Sequence, residues 1–521
     1  MGSELIPSLP EGWSAKTLLD CTSDKVISYG IVQPGQHTDA GVPIIRVNNF
    51  GNGQLDLSTV LKVTPEIESK FSRTRLQGGE VLLTLVGSTG QSIVAPKQLA
   101  GWNVPRAVAV IRASEDIGAD WINICLQTEF TKHFLDSRAN TTVQKTLNLS
   151  DVKKIPIPIP PNGLKKFIES NLLSLDKKIQ LNRQTNQTLE QMAQALFKSW
   201  FVDFDPVIDN ALEAGNEIPE PLKKKAERRA AMRAQQKAQS APANQEAQQG
   251  AVQTPLHTPS QTQSHATKSA HSHSNNGADT NTDTDQVSDL LTQSLPEHLR
   301  ALFPSEFEET DELGWVPKGW EVGSVNDVAK TNPQSWSKKN APKVVEYIDL
   351  ANAKNGNIEE TISYSYDEAP SRARRILEKN DTIIGLVRPG NRSFAYVHQE
   401  GLTGSTGFAV MAPLTENRRA YLYFLLTQDD VINEFARLAD GAAYPAIRPE
   451  VVTNMVCVVP PDTVLNQYQL ITGTSLNKIG CNFKQNNELE KLRDTLLPKL
   501  ISGELRLPEM DTAPDHNKAS A

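Results

Sequence analysis

Two stretches of the chain place apolar residues, with a few asparagines among them, at alternating steps of four and three. In the first, Ile168, Leu172, Leu175, Ile179, Asn182, Asn186, Leu189, Ala193 and Leu196 follow one another at that spacing, as a helix packed lengthwise on another helix requires. In the second, Ile479, Asn482, Asn486, Leu489 and Leu496 keep the same spacing until Pro498, which is expected to stop the helix. Other segments have a shorter period. Val42 to Val47 and Glu80 to Leu85 predict strands, with Gly51, Gly53, Gly78 and Gly79 marking turns, and Val344 to Leu350 and Thr382 to Val387 take the equivalent places later. Trp121 to Phe134 and Tyr421 to Ala436 predict a matching pair of helices.

These matches are part of an internal repeat. Leu9-Pro10-Glu11-Gly12-Trp13 is answered by Val316-Pro317-Lys318-Gly319-Trp320. Pro160-Pro161, preceded by alternating Ile155, Ile157 and Ile159, is answered by Pro460-Pro461, preceded by Met455, Cys457 and Val459. Asn182, Asn186, Leu189 and Glu190 then match Asn482, Asn486, Leu489 and Glu490 in identity. A series held in one register indicates duplication. The repeat predicts an α+β fold of two similar α/β domains and two long helices that can pair with each other. Leu175, Ile179, Asn182, Asn186, Leu189, Ile479, Asn482, Asn486 and Leu489 are the expected pairing residues, and asparagine in such a seam costs stability but fixes register. The expected divisions are a first domain over 1–160, a helix over 161–205, a central linker over 206–312, a second domain over 313–461, a second helix over 462–507 and a tail over 508–521.

Composition changes this picture at the linker. From Lys223 to about Gln293 the chain is basic at first and then rich in Gln, Ser, Thr, Ala and Asn. It has too little apolar surface to offset the entropy of ordering, so a disordered or partly helical linker is expected. Its His257, His265, His271 and His273 follow no ligand spacing and are expected to be solvated, with no metal bound. The stretch from Asp279 to Glu312 is acidic, and the whole chain carries −8. Cys21, Cys125, Cys457 and Cys481 form no CxxC pair, which argues against a zinc site or a disulfide framework. No apolar run is long enough to span a bilayer. Met1 to Leu9 lacks a basic segment followed by an apolar one, so the expected compartment is the cytoplasm.

The signatures of catalysis are missing. Gly87-Ser88-Thr89-Gly90 resembles half of a phosphate loop, yet no GxxxxGK[ST] run is present. Its expected counterpart is the turn around Gly390 in Arg388-Pro389-Gly390-Asn391-Arg392. There is no GxGxxG, GxSxG or HExxH sequence, and Asn162 and Asp462 follow the proline pairs where an adenine methyltransferase signature would differ. The chain is expected neither to bind ATP nor to transfer methyl groups alone.

With these residues in place, the chain resembles the specificity subunits of Type I restriction-modification systems. The paired Gly-Trp openings and the Ile-Pro strands carry the resemblance. So do Leu196-Phe197-Lys198-Ser199-Trp200-Phe201-Val202-Asp203-Phe204-Asp205-Pro206, the run from Leu302 to Trp320, and Ser502 to Leu507. It covers nearly the whole chain and departs in the tract from Ala234 to Thr292. The resemblance implies two target-recognition domains, each reading one half of an interrupted site on double-stranded DNA, joined and spaced by the two long helices pairing as an antiparallel coiled coil with pseudo-two-fold symmetry. It implies as partners two methylation subunits and two restriction subunits. S-adenosylmethionine, ATP and magnesium would then sit in those partners and none in this chain, and the partners would supply the basic surface that the net charge lacks. The alternative is a two-domain coiled-coil scaffold or inhibitor that binds no DNA.

Base edges are read by polar side chains on loops, with arginine suited to guanine and asparagine or glutamine to adenine. On that chemistry the candidates in the first domain are Arg46, Asn48, Asn49, Ser88, Thr89, Gln91, Arg106, Gln144 and Lys145. In the second they are Arg372, Arg374, Arg375, Arg388, Asn391, Arg392, Tyr444 and Arg448. Each has a plain alternative as a solvated or ion-paired surface residue, and phosphate contacts would look the same. Leu196, Phe197, Trp200, Phe201 and Phe204 fit either a core or a docking surface for the methylation subunit.

Overall fold

Duplication is visible in the sheets. The computed structural model describes residues 9–51, 53–139, 145–249, 295–501 and 505, and the chain divides into two compact units, Met1–Leu181 with Gln485–Ala521, and Asn182–Lys484.

In the first unit an antiparallel sheet has the order Thr22–Tyr29, Val108–Ala113, Val81–Thr84, Ser92–Val94. Alternation sends Val81 and Leu83 to one buried face and Leu82 and Val110 to the other. The first face packs on Ala119–Leu126, whose Trp121 is fully buried and donates its indole N–H to Pro158 O at 2.8 Å. That carbonyl lies in the strand Pro156–Ile159, paired antiparallel with Ser14–Thr17.

The second unit repeats the order with Ala329–Thr331, Phe408–Pro413, Thr382–Gly385 and Phe394–Tyr396. Tyr421 takes the place of Trp121 and donates its hydroxyl to Val458 O, in a strand paired with Glu321–Ser324. A second, mixed sheet runs Ile362–Ser365, Val344–Ile348, Leu402–Ser405, Ala373–Leu377. The predicted strands are therefore present, each trimmed by a few residues.

The predicted helices Trp121 to Phe134 and Tyr421 to Ala436 are each two helices, a correction repeated in both units. The first splits into Ala119–Leu126 and Glu129–Asp136, the second into Arg419–Leu426 and Asp429–Arg437. The break in the first unit is a cap: Thr128 accepts the Thr131 N–H on its hydroxyl at 3.1 Å and starts a new helix.

The long helices run Asn162–Phe197 and Asp462–Ile501. Within the first unit Asn486 donates to Ile179 O at 3.4 Å and Arg493 pairs with Asp176 at 3.0 Å. Within the second, Asn482 donates to Asn186 Oδ1 at 2.7 Å, and the Tyr468 hydroxyl to Ala193 O at 3.2 Å. Partners rise on one helix as they fall on the other, so the pairing is antiparallel in each unit. Ile179, Asn182, Asn186, Ile479, Asn482 and Asn486 are buried as the spacing predicts, and Leu175 and Leu489 are half-buried. Pro498 does not stop the second helix, which continues to Ile501. The proline removes only the N–H that would meet the Asp494 carbonyl, one turn before the helix ends, and Leu497 and Leu500 are buried in the first unit's core and hold that turn.

Two further expectations become more specific here. The 206–312 segment contributes folded structure at both ends: Asp205–Ala214 buries Val207, Ile208 and Ala211, Glu220–Gln249 is helical, and Phe303 and the hairpin Phe307–Thr310 with Gly314–Pro317 follow. The histidine tract lies outside the described residues. Leu196, Phe197, Trp200, Phe201 and Phe204 are all buried in the second unit's main cluster, which makes them core. Cys21, Cys125 and Cys457 are buried and Cys481 is exposed.

Glu190, half-buried on the first long helix, gives a pH test of this packing. It accepts from the Tyr423 hydroxyl at 2.9 Å and from Gln194 at 3.2 Å, and burial pushes its carboxyl from 4.5 to about 7. A carboxyl raised in the folded state contributes stability that is complete below about pH 4.5 and is lost as pH rises through 7. Glu190→Gln keeps the acceptor and removes the ionisation. Its melting temperature is expected to match the parent near pH 4.5 and exceed it at pH 8; an equal difference at both pH values would refute the assignment.

Candidate nucleic-acid interface

In both units the same backbone frame presents a loop at one end of the main sheet. In the first, the loop leaves Val81–Thr84, and Thr84 N donates to Gln91 O at 2.9 Å to close it. Leu85 N donates to Ala107 O at 2.7 Å, and a second segment lies alongside, with Gly87 N on Lys145 O at 3.0 Å and Leu147 N on Leu85 O at 2.8 Å. The second unit reproduces each bond: Gly385 N on Ser393 O at 2.7 Å, Leu386 N on Gly407 O at 2.8 Å, Arg388 N on Pro445 O at 2.7 Å and Ile447 N on Leu386 O at 2.9 Å. Bridges Val86 to Thr146 and Val387 to Ala446 complete the match.

Several candidates meet on these loops. Ser88 and Gln91 are exposed and Thr89 is half-buried, none with a side-chain hydrogen-bond partner among the described residues. Lys145 is on the adjoining segment and forms an ion pair with Asp136. Arg106 is exposed, next to Ala107 at the loop's base. In the second unit Arg388 and Asn391 are exposed on the loop, and Tyr444, 72% exposed, lies on the adjoining segment with the Arg388 guanidinium 4.8 Å from its ring centroid. Arg448 is exposed a few residues on, before helix Pro449–Thr453. Arg372 comes close through its carbonyl, which accepts from Thr406 N beside Gly407; its guanidinium is held by Asp349 and, at 3.1 Å, by the Tyr347 hydroxyl.

Other candidates are placed differently. Asn49 is buried, accepts from Arg46 N at 2.8 Å and donates to Asp56 O and Thr59 O at 2.8 and 3.0 Å, so its amide serves the turn. Asn352 makes the same turn in the second unit, accepting from Asp349 N at 3.1 Å. That repeat is the signal by which sequence reasoning could have recognised Asn49 as part of the frame. Asn48 is exposed beside it, and Arg46 is half-buried with its Nε unpartnered among the described residues. Arg374 lies 4.9 Å over the Tyr366 ring and donates to Ala373 O at 2.9 Å. Burial lowers the affinity of Arg375 for its proton. Arg392 braces the loop through Asp429 at 2.6 Å and Asn355 at 3.0 Å. Gln144 lies outside the described residues.

The expected match of Gly90 with Gly390 is corrected by the frame. The second loop is one residue longer, so the left-handed positions Gly87 (φ 79°) and Gly90 (φ 86°) are answered by Arg388 (φ 49°) and Arg392 (φ 59°). One surface was not foreseen: a shallow cleft along Glu129–Asp136 lined by Phe130, His133, Phe134, Ser137 and Arg138, with Arg138 stacked 3.8 Å over Phe134. The interleaved aromatic and basic residues of that helix were the available signal. Among the described residues no cluster of His, Cys, Asp and Glu is placed to hold a metal ion, and no helix is long and apolar enough to cross a membrane.

The two units thus share one α+β frame and display chemically different loops on it. Residues 31–191 match the family described as "Type I restriction modification DNA specificity domain". The EcoBI specificity subunit of Escherichia coli is 30% identical over 29% of this chain and 32% of its own. The HindI specificity subunit of Haemophilus influenzae is 25% identical over 73% of this chain and 74% of its own, and the MjaIX specificity subunit of Methanocaldococcus jannaschii 20% identical over 97% and 96%. The chain thus spans about a third of the first of these relatives and most of the other two. Residues 31–191 resemble a Type I restriction modification DNA specificity domain, and the chain is similar along most of its length to Type I specificity subunits.

Proposed function

We propose that this chain is the DNA-recognition subunit of a Type I restriction-modification complex, each domain reading one half of a two-part site on double-stranded DNA. The observation that carries the reading is the frame-matched loop, kept in both units by the same hydrogen bonds while its exposed side chains differ. A protein reading two different half-sites needs a constant scaffold and variable contacts. In this reading the chain performs no chemistry. Two methylation subunits holding S-adenosylmethionine modify adenines, and two restriction subunits use ATP and magnesium. The paired helices set the spacing of the half-sites.

The test is single-molecule methylation sequencing of genomic DNA from cells making this chain with the methylation subunit of its own system. A new motif of two defined halves around an unspecified gap is expected, and it should disappear when this chain is omitted. No new methylation from a soluble chain and an active partner would overturn the reading.

A further inference from the structure

The exchange of two glycines for two arginines between otherwise matching loops asks for a cause. A left-handed backbone suits glycine, which has no Cβ to clash, and disfavours other side chains. In the first unit both such positions, Gly87 and Gly90, are glycine. In the second, Arg388 and Arg392 hold the same conformations against that preference. Backbone strain of this kind persists where the surroundings enforce it and gathers at functional sites. Space is not the reason for glycine in the first loop, since a Cβ built on Gly87 meets nothing within 4 Å.

The two arginines are used differently. Arg392 is committed at the surface to Asp429 and Asn355. Arg388 is exposed, meets no carboxylate among the described residues, and is aimed from two sides. It donates one N–H to Ala443 O at 2.8 Å, and its plane is backed by the Tyr444 ring. The remaining guanidinium donors, of five in all, have no protein partner among the described residues. A planar fork of donors held in a fixed direction on an exposed loop matches the O6 and N7 acceptors on the major-groove edge of guanine.

We infer that Arg388, positioned by Tyr444, is a specificity-determining residue of the second domain and reads a guanine in one half of the site. The first domain lacks this reader because the same frame position is Gly87. The inference rests on the function proposed above.

The experiment compares the methylation motif of the parent complex with those of Arg388→Gly and Arg388→Lys, sequenced as before. Glycine is the first domain's own residue at this position, so Arg388→Gly suits the backbone. Lysine keeps the positive charge and loses the two-pronged geometry, which separates base reading from phosphate contact. The expected result is a guanine in one half of the parent motif. Both variants should lose discrimination at that base by on the order of 10- to 100-fold, with the other half unchanged. The inference is overturned by a motif without guanine, by an unchanged motif in Arg388→Gly, or by full guanine preference in Arg388→Lys. A parent complex that gives no two-part motif removes the proposed function and this inference together; a parent motif with unaffected variants removes this inference alone.

Discussion

Phe201→Ala is expected to destabilise the second unit by about 3–5 kcal/mol, the cost of emptying a large aromatic site in a core. The ring is buried and meets five others at centroid distances of 4.9 Å (Tyr468), 5.0 Å (Tyr421), 5.2 Å (Phe197) and 6.1 Å (Trp200 and Trp320). These partners come from both long helices, the helix Arg419–Leu426 and the segment just before the strand Glu321–Ser324, so one side chain ties together four segments far apart in sequence. In calorimetry of the whole protein, the transition of the second unit should fall by on the order of 10 °C, with Phe201→Leu retaining most of it. If Phe201→Ala left unfolding unchanged and weakened only assembly with a partner, the side chain would be a docking residue and the core assignment wrong.

Arg229→Ala should cost a similar amount, about 3–5 kcal/mol, for an electrostatic reason. Arg229, itself buried, donates to both carboxylate oxygens of Asp209 at 2.8 and 2.5 Å and lies 3.1 Å from Asp205. These contacts hold the helix Glu220–Gln249 on Asp205–Ala214. Burial already raises the Asp205 carboxyl above its ordinary value, and Arg229 is the strongest influence opposing that. Without the arginine, the Asp205 carboxyl would lose the main influence opposing its burial, and its proton affinity would rise further. A raised carboxyl loses its stabilising contribution as pH increases, so the defect should be larger at pH 8 than at pH 5. The combination Asp205→Asn, Asp209→Asn, Arg229→Met removes all the charges and is expected to recover most of the loss. A defect independent of pH, or not relieved by the combination, would show that packing and not charge is responsible.

Much of this architecture was legible in the sequence because duplication and periodicity are properties of many residues at once. The asparagines of the helix seam and the strand positions follow from spacing and composition, and the structure buries them accordingly, whereas the aromatic run after the first long helix fits core or docking surface by composition alone, and its burial settles it as core. Single residues were harder. Asn49 has the side chain of a base reader, and its three hydrogen bonds to the turn, with the matching turn at Asn352, show its commitment. The split at Thr128 depends on one cap. Pro498 is tolerated because Leu497 and Leu500 are buried by residues more than three hundred positions earlier. The one-residue lengthening of the second loop hid the pairing of Gly87 with Arg388, since a fixed offset aligned Gly90 with Gly390. Hydrogen-bond register, which a sequence does not display, was needed to align the loops.

The first unit draws its residues from both extremes of the chain, with Leu497 and Leu500 completing a core begun by Leu18 and Cys21. During synthesis, therefore, the domain that emerges first cannot close first. At about 5–20 residues per second, a ribosome needs on the order of half a minute to make the intervening chain. Over that interval the apolar face around Ile168 and Leu172 waits without its partner helix, while the second unit is still being translated and has its own helix pairing to complete. A chain released early by a stop codon in the second half would thus leave the first domain unfinished as well. The two units share a fate at the ribosome.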